Sequence, residues 1–189
     1  MENPLCKHER MIMEGVTGKT MCELGAKYNP RGVYKDWFHE WKHVSIDLNG
    51  EAGSLIYDLE KPIPLEEIGG PFDVVTNFGT SEHVNEQVPC WENIHRLVKV
   101  GGVLVSATPF YFPRHGRWYP THEWYTEFVI SNHYEEEMRF KAIDTFGRSV
   151  ICIRMRKMVD LPLVFPTAPM IERHDGRCGA YVLPKEAAV

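Results

Sequence analysis

Apolar residues in this chain fall into short, nearly continuous runs in some segments and into helical spacing in others, and the two kinds of segment alternate. The runs at Thr20–Leu24, His43–Ile46, Leu55–Tyr57, Phe72–Asn77 and Val103–Ala107 predict strands buried on both faces. Between the last two, Val88, Trp91, Ile94, Leu97 and Val98 recur with the 3.6-residue period and predict a helix over Val88–Val98, which Gly101–Gly102 should stop. A second amphipathic helix is predicted over His122–Asn132, with Trp124, Phe128 and Val129 on its apolar side. Two later strands, Arg139–Asp144 and Ser149–Arg156, are joined by a short Gly-containing link and predict an antiparallel hairpin. The expected architecture is α/β: a Rossmann-like sheet, mostly parallel, with a terminal antiparallel hairpin and helices on both faces.

The chemistry-bearing residues collect where these strands end. "VSID" closes at Asp47, "IYDL" carries Asp58 and "FDVVTN" closes at Asn77, so two acidic residues and one amide fall at successive strand ends. In an open α/β sheet, ligands bind just outside the carboxyl ends of the strands, so polar groups stacked there predict one extended organic ligand, a nucleoside.

Composition narrows the partners. The chain has 189 residues, 43% of them apolar, enough for one domain over residues 1–189, with a core at about 19–157 and an irregular extension at 158–189. A formal charge of −5 argues against a broad nucleic-acid groove. Five cysteines without a C-x-x-C pair predict reduced thiols and a cytoplasmic location, and no run approaches the roughly 18 apolar residues of a membrane span. Leu161–Pro169, with three prolines, reads as an extended segment draped over the domain. Arg154, Arg156 and Lys157 alternate as a solvated face would, and Glu135–Glu137 read as surface charge.

Over about Lys19 to Lys157 the sequence resembles the class I S-adenosylmethionine-dependent methyltransferases, in particular their small-molecule methyltransferase-like group. The resemblance is carried most strongly by "DVVTNFGTSEHV" followed by "ENIHRLVKVGGVLVSATP", which are similar to the family's fourth strand, its exit loop, the next helix and the fifth strand. It implies S-adenosylmethionine as cofactor and methyl transfer to a small-molecule acceptor. "CELGA" is similar to the glycine-rich first loop, which assigns Glu23, Gly25 and Ala26 to the cofactor. The family's further glycines are replaced by Lys27, Tyr28 and Asn29, so Gly25 either admits the cofactor's methionyl part or only turns the chain out of the first strand. The same departure opens a second reading, a degenerate fold that acts as a non-catalytic binding or assembly subunit. A third, a nicotinamide oxidoreductase, lacks its phosphate-cradling motif, because "ELGAKYN" is not G-x-G-x-x-G.

The resemblance assigns further positions. Asp47, roughly 20 residues after the first loop, would accept both ribose hydroxyls, with Leu48 beside it; alternatively it caps the turn at Asn49–Gly50. Asp58 and Leu59 would meet the adenine, or serve a turn before Pro62, while Asn77 and Gly79 would approach the sulfonium region. Glu82 and His83 stand nearest the transfer point as candidate catalytic groups, since imidazole can take a proton near pH 7, although pocket shaping and loop packing fit them too. His115, Trp118 and Tyr119, in an aromatic-rich stretch, are the candidate acceptor-binding residues, or else the packing of a lid. No metal is expected, because His115 and His122 match no established ligand spacing. "ERMIME" reads as a covering helix packed by Met11 and Ile12, shorter than the family's usual cover, so that the site is open or relies on a second copy or a partner subunit.

Overall fold

The computed structural model describes residues 7–25, 28–29, 32–33, 38–174 and 177–181. In chain order these form α1 (Lys7–Met13), β1 (Thr20–Leu24), β2 (Tyr28–Asn29), β3 (Gly32–Val33), β4 (Lys42–Asp47), β5 (Leu55–Ile56), α2 (Leu65–Ile68), β6 (Phe72–Phe78), α3 (Gln87–Leu97), β7 (Val98–Tyr111), β8 (Trp118–Pro120), α4 (His122–Ser131), β9 (Tyr134–Ile143), β10 (Ser149–Lys157), β11 (Met170–His174) and β12 (Arg177–Tyr181).

Seven strands make the main sheet in the order β5-β4-β1-β6-β7-β10-β9. The first five pair in parallel, and β10 runs antiparallel to both neighbours. From β1 the chain moves outward to β4 and β5, then returns to place β6 on the other side of β1. The order therefore reverses between β1 and β6, which is where such sheets open a crevice for ligand.

Alternation along the strands divides the core in two. Cys22, Leu24, Val75, Leu104, Ile151, Ile153 and Met155 face α3 and α4, whose Trp91, Trp124, Tyr125 and Phe128 are fully buried against one another. The Trp91 and Trp124 ring centroids are 4.6 Å apart. Met21, Val74, Val103, Val105 and Cys152 face the other way, against Ile12 and Met13 of α1. Strands covered on both sides must be apolar at successive positions, which is why they read as runs. Truncating Trp91 would cost about 3–5 kcal/mol, the range for emptying a buried aromatic site.

Several expectations need correction. Gly101–Gly102 do not stop α3: Val98 is already extended (φ −83°, ψ 121°) and pairs with Phe72, so residues 99–102 form a register shift inside β7. Met11 is exposed, and Met13 takes its place beside Ile12. Lys157 is buried, its ammonium held by the His95 carbonyl at 3.1 Å and Asp160 at 3.0 Å. Arg154 donates to the Ile12 and Glu14 carbonyls and so fastens the end of α1 to β10. The last part of the chain is only partly irregular. Residues 158–169 form no regular element, but β11 and β12 make a hairpin that pairs with β8 as a second sheet.

Candidate functional site

Because β1, β4, β5, β6 and β7 run in parallel, their carboxyl ends share one edge of the sheet, and a cavity of about 610 Å³ opens there. Gly25, Asp47, Leu48, Asp58, Leu59, Gly79, Glu82, His83 and His115 all line it. Glu23, Asn77, Trp118 and Tyr119 do not. Ala26 lies outside the described residues.

Gly25 leaves β1 in the left-handed region (φ 76°) and donates its N–H to the Ile46 carbonyl at 2.7 Å. A Cβ at this position would lie 2.3 Å from the Thr80 hydroxyl, which itself donates to the Leu24 carbonyl at 2.7 Å. Thr80, absent from the sequence-based assignment, thus locks the loop after β1 to the loop after β6.

Asp47 and Asp58 each hold a turn while facing the cavity, so the two readings of each residue are compatible. Asp47 Oδ1 accepts the Asn49 N–H at 3.1 Å. Asp58 Oδ1 accepts the Glu60 N–H at 3.0 Å, and its other oxygen meets the Lys61 ammonium at 3.2 Å. The Glu60 N–H and, after it, Lys61 outweigh desolvation and hold the Asp58 carboxyl below its usual range, so it is ionised at neutral pH.

Two polar residues of α3 anchor the loops that carry these groups. The Asn93 side chain accepts the Ile63 N–H and donates to the Leu59 and Lys61 carbonyls, fixing the segment after Asp58. Gln87 donates to the Ser81 and Val84 carbonyls and accepts the Trp91 indole N–H, tying the Glu82–His83 turn to the aromatic core. Asn77 is fully buried one step below the cavity. Its amide donates to the hydroxyls of Ser81 (2.8 Å) and Ser106 (3.1 Å) and accepts the Ser81 N–H (3.0 Å), so it shapes the loop from beneath.

Glu23 points to the opposite face of β1, where Glu23 Oε2 meets His43 at 3.3 Å. Trp118 and Tyr119 are buried in β8. The Trp118 indole donates to the Asn85 carbonyl, and the Tyr119 hydroxyl reaches the Phe112 and His115 carbonyls, which pins the loop presenting His115. Position within a strand explains all three: such side chains alternate into packed faces, whereas residues just past a strand end reach the crevice.

Glu82 is fully buried, with Oε1 3.2 Å from His115 Nε2. The exposed His83 ring stands edge-on to the His115 ring, centroids 4.9 Å apart. His8 and Glu9 of α1 also line the cavity, so the short N-terminal helix does reach over the site. Among the described lining residues are five carboxylates, Glu9, Asp47, Asp58, Glu60 and Glu82, and neither Lys nor Arg. The rest of the wall is largely apolar, with Ile46, Phe78, Pro109, Phe112 and Val150.

Residues 31–106 match the methyltransferase domain family. The fold is similar to that of StiE O-MT (residues 961–1257), at 13% identity and a TM-score of 0.61, covering 82% of this chain and 75% of that one. It is similar to the 1,6-didemethyltoxoflavin-N1-methyltransferase of Burkholderia thailandensis, solved with 1,6-didemethyltoxoflavin and S-adenosylhomocysteine, at 15% identity and a TM-score of 0.56, covering 74% and 71%. It is also similar to the [4+2]-cyclase SpnF, at 12% identity and a TM-score of 0.56, covering 79% of each chain. No curated protein matches the sequence.

Proposed function

We propose that this chain, which has the fold of the class I S-adenosylmethionine-dependent methyltransferases, binds S-adenosylmethionine in the strand-end cavity and methylates a small-molecule acceptor. The observation that carries this reading is the charge of the cavity: five carboxylates and neither Lys nor Arg among its described lining residues. A dinucleotide would bring its pyrophosphate into that negative field without a basic partner, whereas a cationic nucleoside is attracted to it. A volume of about 610 Å³ lies within the range of cofactor sites.

When bound, the cofactor supplies a methyl group already activated by positive sulfur. The protein's own task is alignment and exclusion of water. Asp47 accepts hydrogen bonds from a ribose diol, and Asp58 with Leu59 frames an adenine ring. Gly25 and Gly79, without side chains, let backbone close on the ligand beside the Thr80 lock. Phe78, Phe112 and Val150 wall the cavity with apolar surface. Glu82 orients His115, and with the neighbouring His83 they form the polar part of the wall that would hold the acceptor. The Burkholderia enzyme, which holds a small heteroaromatic molecule and S-adenosylhomocysteine on the same fold, supports a small acceptor.

Titration calorimetry with S-adenosylhomocysteine tests the reading. Hydrogen bonds to a charged group contribute about 1.5–3 kcal/mol, so Asp47→Asn should weaken binding by about tenfold or more. Heat absent at millimolar ligand in the unsubstituted protein would remove the proposal.

A further inference from the structure

The geometry points to a divalent transition-metal site built from Glu82, His83 and His115 on the cavity wall, which takes an oxygen donor of the acceptor as a further ligand. This replaces the sequence-based expectation of no metal. It deepens the methyltransferase reading by naming the acceptor's chemistry, and in that respect rests on it.

One ligand atom from each of the three side chains lies within 4.8 Å of the other two. The two imidazoles are the more exposed members of the group, His83 exposed and His115 half-exposed, whereas Glu82 is buried. Glu82 supplies the independent observation. Its Oε2 is completely buried and has no hydrogen-bond partner, although the residue faces the cavity. A buried carboxylate oxygen without a donor is costly, and coordination of a cation is one way to satisfy it. The other carboxylates of the cavity add to the attraction.

The three ligands are held before any ion arrives. Glu82 and His83 share the short turn Ser81–His83, fixed from below by Asn77 and from the side by Gln87. The loop of His115 is clamped against that turn. The Arg117 N–H donates to the Glu82 carbonyl at 2.7 Å, and Gly116 packs so closely that a Cβ there would lie 2.5 Å from Glu82 Cγ. The Tyr119 hydroxyl holds the His115 carbonyl. Such support is what keeps metal ligands in place.

Two imidazoles and one carboxylate suit zinc, manganese, iron(II) or cobalt, whereas calcium and magnesium favour all-oxygen shells. Three protein ligands on a cavity wall leave coordination positions facing the cavity, as in sites that bind substrate rather than in closed structural ones. An acceptor presenting a hydroxyl or carboxylate oxygen fits that position.

The test is titration of chelator-treated protein with Mn2+, followed by electron paramagnetic resonance, and with Co2+, followed by visible absorption. One ion per chain is expected. Replacing a ligand should weaken binding by about 100-fold or more, since loss of even a supporting residue costs about 10–100-fold. Because Glu82→Gln alters a fully buried group, His83→Ala and His115→Ala are the deciding variants, each checked by thermal melting, with His122→Ala as the unaffected control. Stoichiometric binding lost in both folded variants supports the site; absence of binding, or binding retained in either, overturns it. S-adenosylhomocysteine calorimetry on the metal-free sample separates the two proposals. Nucleoside binding without a metal site leaves the methyltransferase reading standing alone, and a metal site without nucleoside binding leaves the metal site alone.

Discussion

Thr80 ties the exit of β1 to the loop after β6, and its effect is local enough to measure. With its hydroxyl 2.3 Å from where a Gly25 Cβ would sit, Gly25→Ala meets both a clash and a left-handed backbone. Together these should destabilise the fold by about 1–3 kcal/mol. Thr80→Ala alone loses the hydrogen bond to Leu24 and should cost about 1 kcal/mol. Combined, the two substitutions should cost less than their sum, because the clash is gone; chemical unfolding of the four proteins measures the coupling. Additive losses would show that the contact is without consequence. Residues such as Asp47, Asp58 and Gly79 were legible from sequence because each stands at or just past a strand end. Thr80 was not, since its partner lies 56 residues away and no local pattern announces it. Glu23, Trp118 and Tyr119 failed as lining residues for the opposite reason: their chemistry was suggestive, but strand alternation turns them into packed faces.

Among the elements, β1 and β6 flank the reversal in strand order, and Asp73 joins them. Its carboxylate accepts the N–H groups of Lys19 (2.8 Å) and Thr20 (3.0 Å) and meets the Lys99 ammonium. Burial alone would raise this carboxyl; Lys99 and the Lys19 and Thr20 donors outweigh it and hold it down to about 2. The folded value lies below the unfolded value of roughly 3.9, so the stabilisation is complete above that pH and is lost as pH falls toward about 2. Asp73→Asn should therefore lower stability at pH 7 by about 1–2 kcal/mol, with the difference from the parent narrowing between roughly pH 4 and pH 2. Urea midpoints across that range read it directly, and a difference independent of pH would contradict the assignment. Strands and helices were legible because burial on two faces or one imposes a period. The β8–β11–β12 sheet was not, because β11 and β12 follow a proline-rich stretch and only β11 pairs with β8, a three-residue strand some 50 residues earlier.

For the whole molecule, topology alone leaves the reaction open, since the same fold is shared by O- and N-methyltransferases and by a [4+2]-cyclase. In this chain an acidic cavity at the reversal in strand order carries a Glu–His–His cluster on its wall. Neither could be seen in sequence as a unit: the five carboxylates come from α1, β4, the segment after β5 and the turn after β6, and only folding brings them together. The most direct measurement is a crystal structure of the protein with S-adenosylhomocysteine. The account predicts density filling the cavity, with ribose hydroxyls within hydrogen-bond reach of Asp47 and the adenine beside Asp58 and Leu59. Ligand bound elsewhere, or held in the cavity with neither aspartate in contact, would contradict it.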